Sequence, residues 1–502
     1  MYIAAIILAG SIMCLHAGID LSISKSSRLP DNNFANVSVA IIGAGFAGLS
    51  AYRRLLLKGF TNVDIFEASD RVGGRVYPVP FGDGHLQHGA EFINGAANPI
   101  FEMARGLGVV SGEKHDATLW NHAVYMVGKC NMKSEQIEAF ENFYDNLETE
   151  YHQLARDRNL WNITIGELYS RNYKHFIETL HPNPQDESIF DALSRFYRSY
   201  YESEWAAEID ELALVNYAKW DDKSDSYVSF TLDKVGYKAV LDHIMEGINA
   251  SNIHLNSKVS KISYGGREKT TITLSEKGDV PNKYDYVVVT LPLGFLKRHA
   301  KFMFDPPLPP NKIAMIEALG FGSLQKLFLV YDRPFWSENV TSLVPLNIEG
   351  CSSAKRNPIS DYLHTFEPLA WNGSVLVGWL SGNGPSIIDD MTDEYLTDLI
   401  TEHFRDLLNG INLPRPRKIF RTSWISNPNI YGAYSYITPE AVALSESPSY
   451  WLTSPVYHQK HPRILFAGEA THPRLYQTTT GAYLSGIREA ERIINYVRKS
   501  RT

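Results

Sequence analysis

Residues 38–76, SVAIIGAGFAGLSAYRRLLLKGFTNVDIFEASDRVGGRV, restrict the fold more than any other stretch of the chain. Val39, Ile41 and Ile42 form a short apolar run that stops at Gly43-Ala44-Gly45-Phe46-Ala47-Gly48, after which Leu49, Leu55 and Leu56 recur at helical spacing. A second apolar run, Val63 to Phe66, ends on an acid, Glu67. The order is strand, turn, helix, strand. Gly43 permits the tight turn, Gly45 lets the backbone approach a pyrophosphate at the positive helix N-terminus, and Gly48 lets the helix lie close on the strand. Glu67 can then accept from a ribose hydroxyl, and the whole predicts a dinucleotide site on an α/β fold.

Two further segments say which dinucleotide. Just past the acid, Glu67-x-x-x-Arg71-Val72-Gly73-Gly74-Arg75 brings two glycines and two guanidinium groups towards the expected pyrophosphate, a segment that nicotinamide enzymes rarely carry. Near the other end of the chain, Ile464-Leu465-Phe466-Ala467 reads as a buried strand running into Gly468-Glu469-Ala470-Thr471-His472. A helix is expected from about Gly481 to Tyr496. Its N-terminus, aimed at an isoalloxazine ring, would stabilise the negative charge that reduced flavin develops near N1 and O2. The first segment, and the second taken with Thr478-Thr479-Thr480-Gly481-Ala482-Tyr483-Leu484-Ser485-Gly486, resemble the two FAD signatures of the flavin-dependent amine oxidase superfamily.

Within that superfamily the chain after residue 38 is most similar to the polyamine oxidases, the spermine and N1-acetylpolyamine oxidase group. The resemblance is carried by Gly89-Ala90-Glu91-Phe92-Ile93-Asn94-Gly95 with Asn98-Pro99, by Gly236-Tyr237-Lys238, Leu291-Pro292-Leu293-Gly294 and Phe321 to Tyr331, and by Trp424-Ile425-Ser426-Asn427-Pro428 with Gly432-Ala433-Tyr434-Ser435-Tyr436. It implies a Rossmann-like, glutathione-reductase-type FAD-binding domain built from 36–100, 228–303 and 445–500, and an α+β substrate-binding domain from 101–227 and 304–444. Carried over position by position, it implies FAD contacts at Gly43, Gly45, Gly48, Glu67, Gly74, Arg75, Glu469 and Thr479, with Val259 at the adenine and Trp424 near the flavin. Lys326 matches the family lysine that holds a water at flavin N5. Tyr434 matches one wall of the aromatic clamp, and Thr478 falls on the substrate side. Trp205 is a candidate for the opposite wall, or else a core tryptophan.

The chain also departs from its relatives. Where animal members place a histidine and plant members a glutamate, it has Asn94, which can act neither as base nor as counter-ion; Glu91, three residues earlier, either supplies the missing carboxylate or points into the FAD domain. Gln477 and Thr480 replace a serine and a histidine, so the choice among spermine, spermidine and acetylated forms stays open. Cys351 is the last cysteine, so none in the C-terminal segment can tether flavin, and FAD is expected to be non-covalent. No long helical insertion is visible in the substrate domain, which argues against the lysine-specific histone demethylases.

Composition narrows the context. The 502 residues, 44% hydrophobic, suffice for a large core and more than one domain. A net charge of -8 disfavours nucleic acid as a partner. The 16 histidines include no H-E-x-x-H and the three cysteines no paired spacing, so no metal site is expected. Ile3 to Leu15 is a nearly uncharged apolar run too short to span a bilayer; it predicts a signal peptide cut after Ala17, with a buried strand or membrane-associated arm as alternatives. Sequons at Asn36, Asn162, Asn249, Asn339 and Asn372 agree with a secreted glycoprotein without stable membrane insertion, Asn36 being doubtful because it abuts a core strand. Cutting after Ala17 leaves Cys130 and Cys351, either bridged or reduced.

The implied chemistry moves a hydride from the carbon beside a neutral amine of a polyamine to flavin N5, with O2 as final acceptor, yielding hydrogen peroxide, an aminoaldehyde and a shorter amine. A desolvated aromatic cleft suits it, because burial disfavours the charged amine. Two other readings compete. A secreted L-amino acid oxidase needs an arginine for the substrate carboxylate, for which Arg105, Arg195 and Arg198 are candidates. A catalytically weak flavoprotein acting as a binding protein is suggested by Asn94. Oligomeric state is not readable.

Overall fold

The computed structural model describes residues 34–114, 122–222, 228–266, 269–352 and 358–500; the expected signal peptide and its cleavage point lie outside them. The opening motif folds as β1 (Ser38–Ile42), α1 (Phe46–Leu57) and β2 (Asn62–Phe66). These strands are central in a six-stranded sheet whose order runs Val456–His458, His461–Phe466, Tyr286–Val289, β1, β2, Ile253–His254. Every pairing is parallel except that of the edge strand Val456–His458. A parallel sheet is covered on both faces, and successive residues of each strand point to opposite ones. Val39, Ile41, Val288 and Leu465 accordingly enter the core beneath α1, whereas Ala40, Ile42, Val287, Val289 and Phe466 enter a second core on the other face.

The long C-terminal helix Thr479–Lys499 lies against α1. Their close crossing needs Gly486, where a Cβ would stand 2.0 Å from Ala47 O. The Thr478 side chain caps this helix by accepting from Gly481 N at 2.9 Å.

A second six-stranded sheet runs Lys418–Arg421, Gln325–Val330, Asn372–Leu380, Leu363–Leu369, Ser342–Pro345, Ala123–Met126, antiparallel except for its last pair. Gln325–Val330 is buried throughout. Its Leu327 and Leu329 face a core shared with the helix Asp393–Leu407. The alternate set turns Phe328 and Val330 to the opposite face with Leu86 of the hairpin Pro78–Gln87. Period-two alternation puts Lys326 on that hairpin side.

The helix Ser134–Leu154 buries Phe140, Leu147 and Tyr151. In Asp393–Leu407 the apolar stripe is Leu396, Ile400, Phe404 and Leu407, while Tyr395 is 52% exposed. The expected border at residue 100 falls inside the helix Pro99–Gly106, whose Ile100, Met103 and Ala104 belong to the core under α1.

Cys130 and Cys351 form a disulfide across 221 residues of chain, with Cα atoms 5.2 Å apart. It ties the segment leading into Ser134–Leu154 to the end of the second sheet. Cys351→Ser is expected to lower unfolding stability by about 2–4 kcal/mol. Denaturant unfolding of wild type and variant checks this, and equal midpoints would mean the bridge does not constrain the unfolded chain.

Candidate active site

The glycine turn is built from backbone contacts that only small residues permit. Gly43, at φ +110°, donates its N–H to Phe66 O at 2.8 Å, joining the turn to the end of β2. Gly73 N donates to Ala44 O at 2.8 Å, and Gly45 and Gly73 form an isolated parallel bridge, so the second glycine segment is laid on the first. Both oxygens of the buried Glu67 carboxylate are used, Oε2 accepting from Ala44 N at 2.7 Å and Oε1 from Ser69 N at 2.8 Å. Each oxygen keeps a second lone pair for a ribose hydroxyl.

The two arginines of that segment have separate duties. Arg71 turns back on its own loop, donating to Gly74 O at 2.8 Å with its guanidinium 3.7 Å from the centre of the Tyr77 ring. Arg75 Nη1 reaches Ala433 O at 2.7 Å and Glu469 Oε1 at 3.0 Å. Glu469 in turn accepts from Ser435 Oγ at 2.7 Å and Gln477 N at 2.8 Å. This buried carboxylate therefore joins three segments that lie far apart in sequence.

A cavity of about 500 Å³ lies against this cradle, and every residue expected at the site lines it except Gly48. Gly48 acts one layer behind: a Cβ there would stand 2.0 Å from Gly43 O. The cradle fits the FAD expected from the sequence, because backbone faces the opening without side chains in the way. A Cβ on Gly45 would meet protein only at Gly73 O, 3.9 Å away, and one on Gly468, at φ +123°, would meet nothing within 4 Å. Val259 and Thr479 border the same space, Thr479 Oγ1 lying 2.8 Å from Tyr237 Oη. No group of three or more metal-ligating side chains occurs among the described residues.

Lys326 is buried, and its Nζ donates to Gln87 O at 2.8 Å, Gly89 O at 2.7 Å and Glu91 Oε2 at 2.6 Å. Glu91 thus points to the lysine. Burial pulls the Lys326 pKa below its ordinary 10.5, with Glu91 opposing that fall. Trp424 braces the same loop, its Nε1 donating to His88 O at 3.2 Å. Asn94 Nδ2 lies 3.4 Å from Ser229 Oγ. Tyr434 Oη donates to Ser203 O at 2.9 Å, next to the helix end that carries Trp205, so both aromatic side chains border the cavity. Trp205 also packs on Tyr217, with ring centres 5.8 Å apart, and so serves the core as well. Thr478 borders the cavity, but its hydroxyl is engaged as the helix cap and with Leu475 O at 2.8 Å.

Lys114, His364, Glu367 and Trp379 are among the cavity residues that the sequence does not announce. Lys114 Nζ pairs with Glu367 Oε2 at 2.9 Å and lies 4.4 Å from the centre of the Phe92 ring; Phe92 stacks on Trp379 at 6.4 Å, and Lys326 Nζ lies 4.9 Å from the Trp379 ring. Two lysine–carboxylate pairs therefore flank a pair of aromatic rings. Burial lowers Lys114 while Glu367, Glu91 and Glu204 raise it, and the net shift is upward, so it stays charged. His364, 2% exposed, is pushed down to about 3 by burial and by Lys114, and is neutral. No motif announces these residues: strand pairing brings 364, 367 and 379 together, and Lys114 joins them from a separate sheet through its ion pair with Glu367.

A family model described as flavin containing amine oxidoreductase matches residues 46–494. The bovine (Bos taurus) peroxisomal N(1)-acetyl-spermine/spermidine oxidase is 26% identical over 91% of this chain and 94% of its own length. Human lysine-specific histone demethylase 2 is 29% identical over 94% of this chain, which spans 55% of that longer protein, so overall identity does not separate the two groups. A solved putrescine oxidase with bound putrescine superimposes with a TM-score of 0.65 at 18% identity, covering 91% of this chain and 99% of that one. With the FAD cradle assembled from both ends of the sequence and the family model spanning all but its termini, the chain belongs to the flavin-containing amine oxidoreductases.

Proposed function

We propose that the protein is a polyamine oxidase that removes a hydride from the carbon beside a secondary amine, releasing an aminoaldehyde and a shorter amine, with O2 reduced to hydrogen peroxide. FAD, when bound, supplies the hydride-accepting N5 and passes the electrons to oxygen. The observation that carries the reading is the arrangement beside the cradle, where Lys326–Glu91 and Lys114–Glu367 flank Trp379 and Phe92 in one cavity. Gly43, Gly45 and Gly74 let backbone amides approach the pyrophosphate, Glu67 holds a ribose, and Arg75 with Glu469 fixes the segment before the C-terminal helix. Thr479, at the N-terminus of Thr479–Lys499, lines the same cavity, so that helix end would face the flavin. The aromatic walls at Tyr434 and Trp205 bury substrate methylenes and disfavour the charged amine.

Charge supports an acylated substrate. Both lysines are paired and His364 is neutral, so Lys326, Glu91, Lys114, Glu367 and His364 carry no net charge between them. Buried His364 Nε2 and Trp379 Nε1 have no hydrogen-bond partner among the described residues. A neutral acylamino end can use them, whereas a free ammonium placed beside them loses its water next to carboxylates that the two lysines already pair. N1-acetylspermine should exceed spermine in kcat/KM by about tenfold or more, roughly 1.4 kcal/mol. Peroxide release and anaerobic bleaching of flavin check this across N1-acetylspermine, spermine, spermidine, putrescine, an N-methyl-lysine peptide and L-amino acids. Bleaching by amino acids alone would sink the polyamine reading.

The amino acid oxidase reading has little support. Arg71 and Arg75 line the cavity, but both are engaged by loop carbonyls or Glu469. Arg105 is paired with Glu102, Arg195 with Asn347 O, and Arg198 with Asp210, and none of the three borders the cavity. We propose secretion as the route. The disulfide supports it, as do the exposed sequon asparagines Asn36, Asn162, Asn249 and Asn339.

A further inference from the structure

The hydrogen bonds of Lys326 leave it little to offer a ligand. An ammonium has three N–H bonds, and Gln87 O, Gly89 O and Glu91 Oε2 take all three at 2.8, 2.7 and 2.6 Å. Of the two side chains in the ion pair the lysine is the more withdrawn, 6% exposed against 18% for Glu91. Both line the cavity, so the pair turns its negative member towards it. The other polar side chains of this loop that reach the cavity carry no charge: Asn94 is an amide, and the His88 imidazole is pushed down to about 4 by burial and by Lys326. Lys114, nearby, is balanced by Glu367.

We propose that Glu91 is the catalytic carboxylate of this site. It accepts a hydrogen bond from the N–H of the neutral reacting amine and stabilises the positive charge that develops on that nitrogen as the C–H bond breaks. Lys326 is then a positioning residue, holding the carboxylate in place at the cavity wall. The proposal rests on the amine-oxidation reading. In the step, the C–H electron pair leaves as hydride for the flavin, the nitrogen lone pair forms the C=N bond, and the N–H stays, so a neutral amine becomes an iminium cation. The contact joins a neutral N–H to a carboxylate before the step and becomes an ion pair, with donor and acceptor both charged, after it. Its gain therefore falls in the transition state and raises the rate rather than the affinity.

Glu91→Gln keeps the side chain's shape and an oxygen for Lys326 while removing the charge. Flavin reduction by saturating amine without oxygen should slow about 10²–10³-fold, with KM changing little. Binding to the oxidised holoenzyme, measured by titration calorimetry, gives a second readout with a planar N-alkylamidinium probe, a stable mimic of the iminium, and the neutral N-alkylamide of the same length. The variant should bind the amidinium about 10- to 100-fold more weakly and the amide equally well, and Glu91→Asp should recover part of both losses. Equal changes for the two probes, or unchanged amidinium binding, would overturn the assignment of Glu91 alone. Failure of every amine to reduce the wild-type flavin would overturn the amine-oxidation reading and the catalytic assignment with it.

Discussion

Gly48→Ala protein is expected to lose flavin together with the fold of its first domain, whereas Gly45→Ala is expected to lose flavin alone. At position 48 the added Cβ would stand 2.0 Å from Gly43 O, 3.1 Å from Gly43 C and 3.2 Å from Ile41 Cγ2. The nearest two are backbone atoms of the turn itself, so no side chain can swing away. Helix α1 must lift off β1, which disturbs its packing on Thr479–Lys499 and the hydrogen bond from Ala44 N to Glu67. Overpacking of this kind costs about 1–3 kcal/mol where surroundings can relax, and here they cannot. At position 45 the Cβ meets protein only at 3.9 Å and points into the cavity where a pyrophosphate approaches. Its penalty therefore falls on the cofactor, weakening FAD by about one to two orders of magnitude on the same scale of strain. The ratio of flavin to protein absorbance, read beside thermal unfolding of the flavin-free proteins, separates the two. Equal flavin content in Gly48→Ala and wild type would refute the close helix-to-strand packing.

The contrast between those glycines shows what could be read from the chain and why. The motif at 43–48 is local: each glycine's expected duty follows from its place in a strand–turn–helix unit, and the turn and the close helix packing are seen in Gly43's positive φ and Gly48's contact with the turn. The C-terminal segment was legible for the same reason, a buried strand followed by a helix start, although Arg75–Glu469 becomes visible only when the two ends meet. The substrate side was less legible because its residues come singly from separate strands. Lys326 was found by family resemblance, but its partner was not settled until the period-two alternation of Gln325–Val330 turned it to the loop after the hairpin Pro78–Gln87. Lys114, His364, Glu367 and Trp379 had no local signal, since each stands in an ordinary strand and gains meaning from the residues across the cavity.

Lys326→Met is expected to keep FAD yet slow flavin reduction or reoxidation by one to three orders of magnitude, the range of a positioned proton-transfer or charge-holding group. Methionine fills similar space and carries no donor. The substitution leaves Gln87 O and Gly89 O without their donor and the Glu91 carboxylate without its counter-charge, while none of the hydrogen bonds at Gly43, Glu67, Arg75 or Glu469 is touched. Stability carries a signature of its own. The folded-state pKa of Lys326 lies below its ordinary 10.5, so between those two values the unfolded chain binds the proton that the folded chain has released. The unfolded state then holds more protons, and folding stability rises with pH across that window. Wild type should therefore gain stability relative to Lys326→Met as the pH is raised towards 10.5, and the difference between their denaturant midpoints measures it. A gap independent of pH would mean that the lysine keeps its ordinary proton affinity in the fold, and unchanged flavin kinetics in the variant would remove Lys326 from the mechanism altogether.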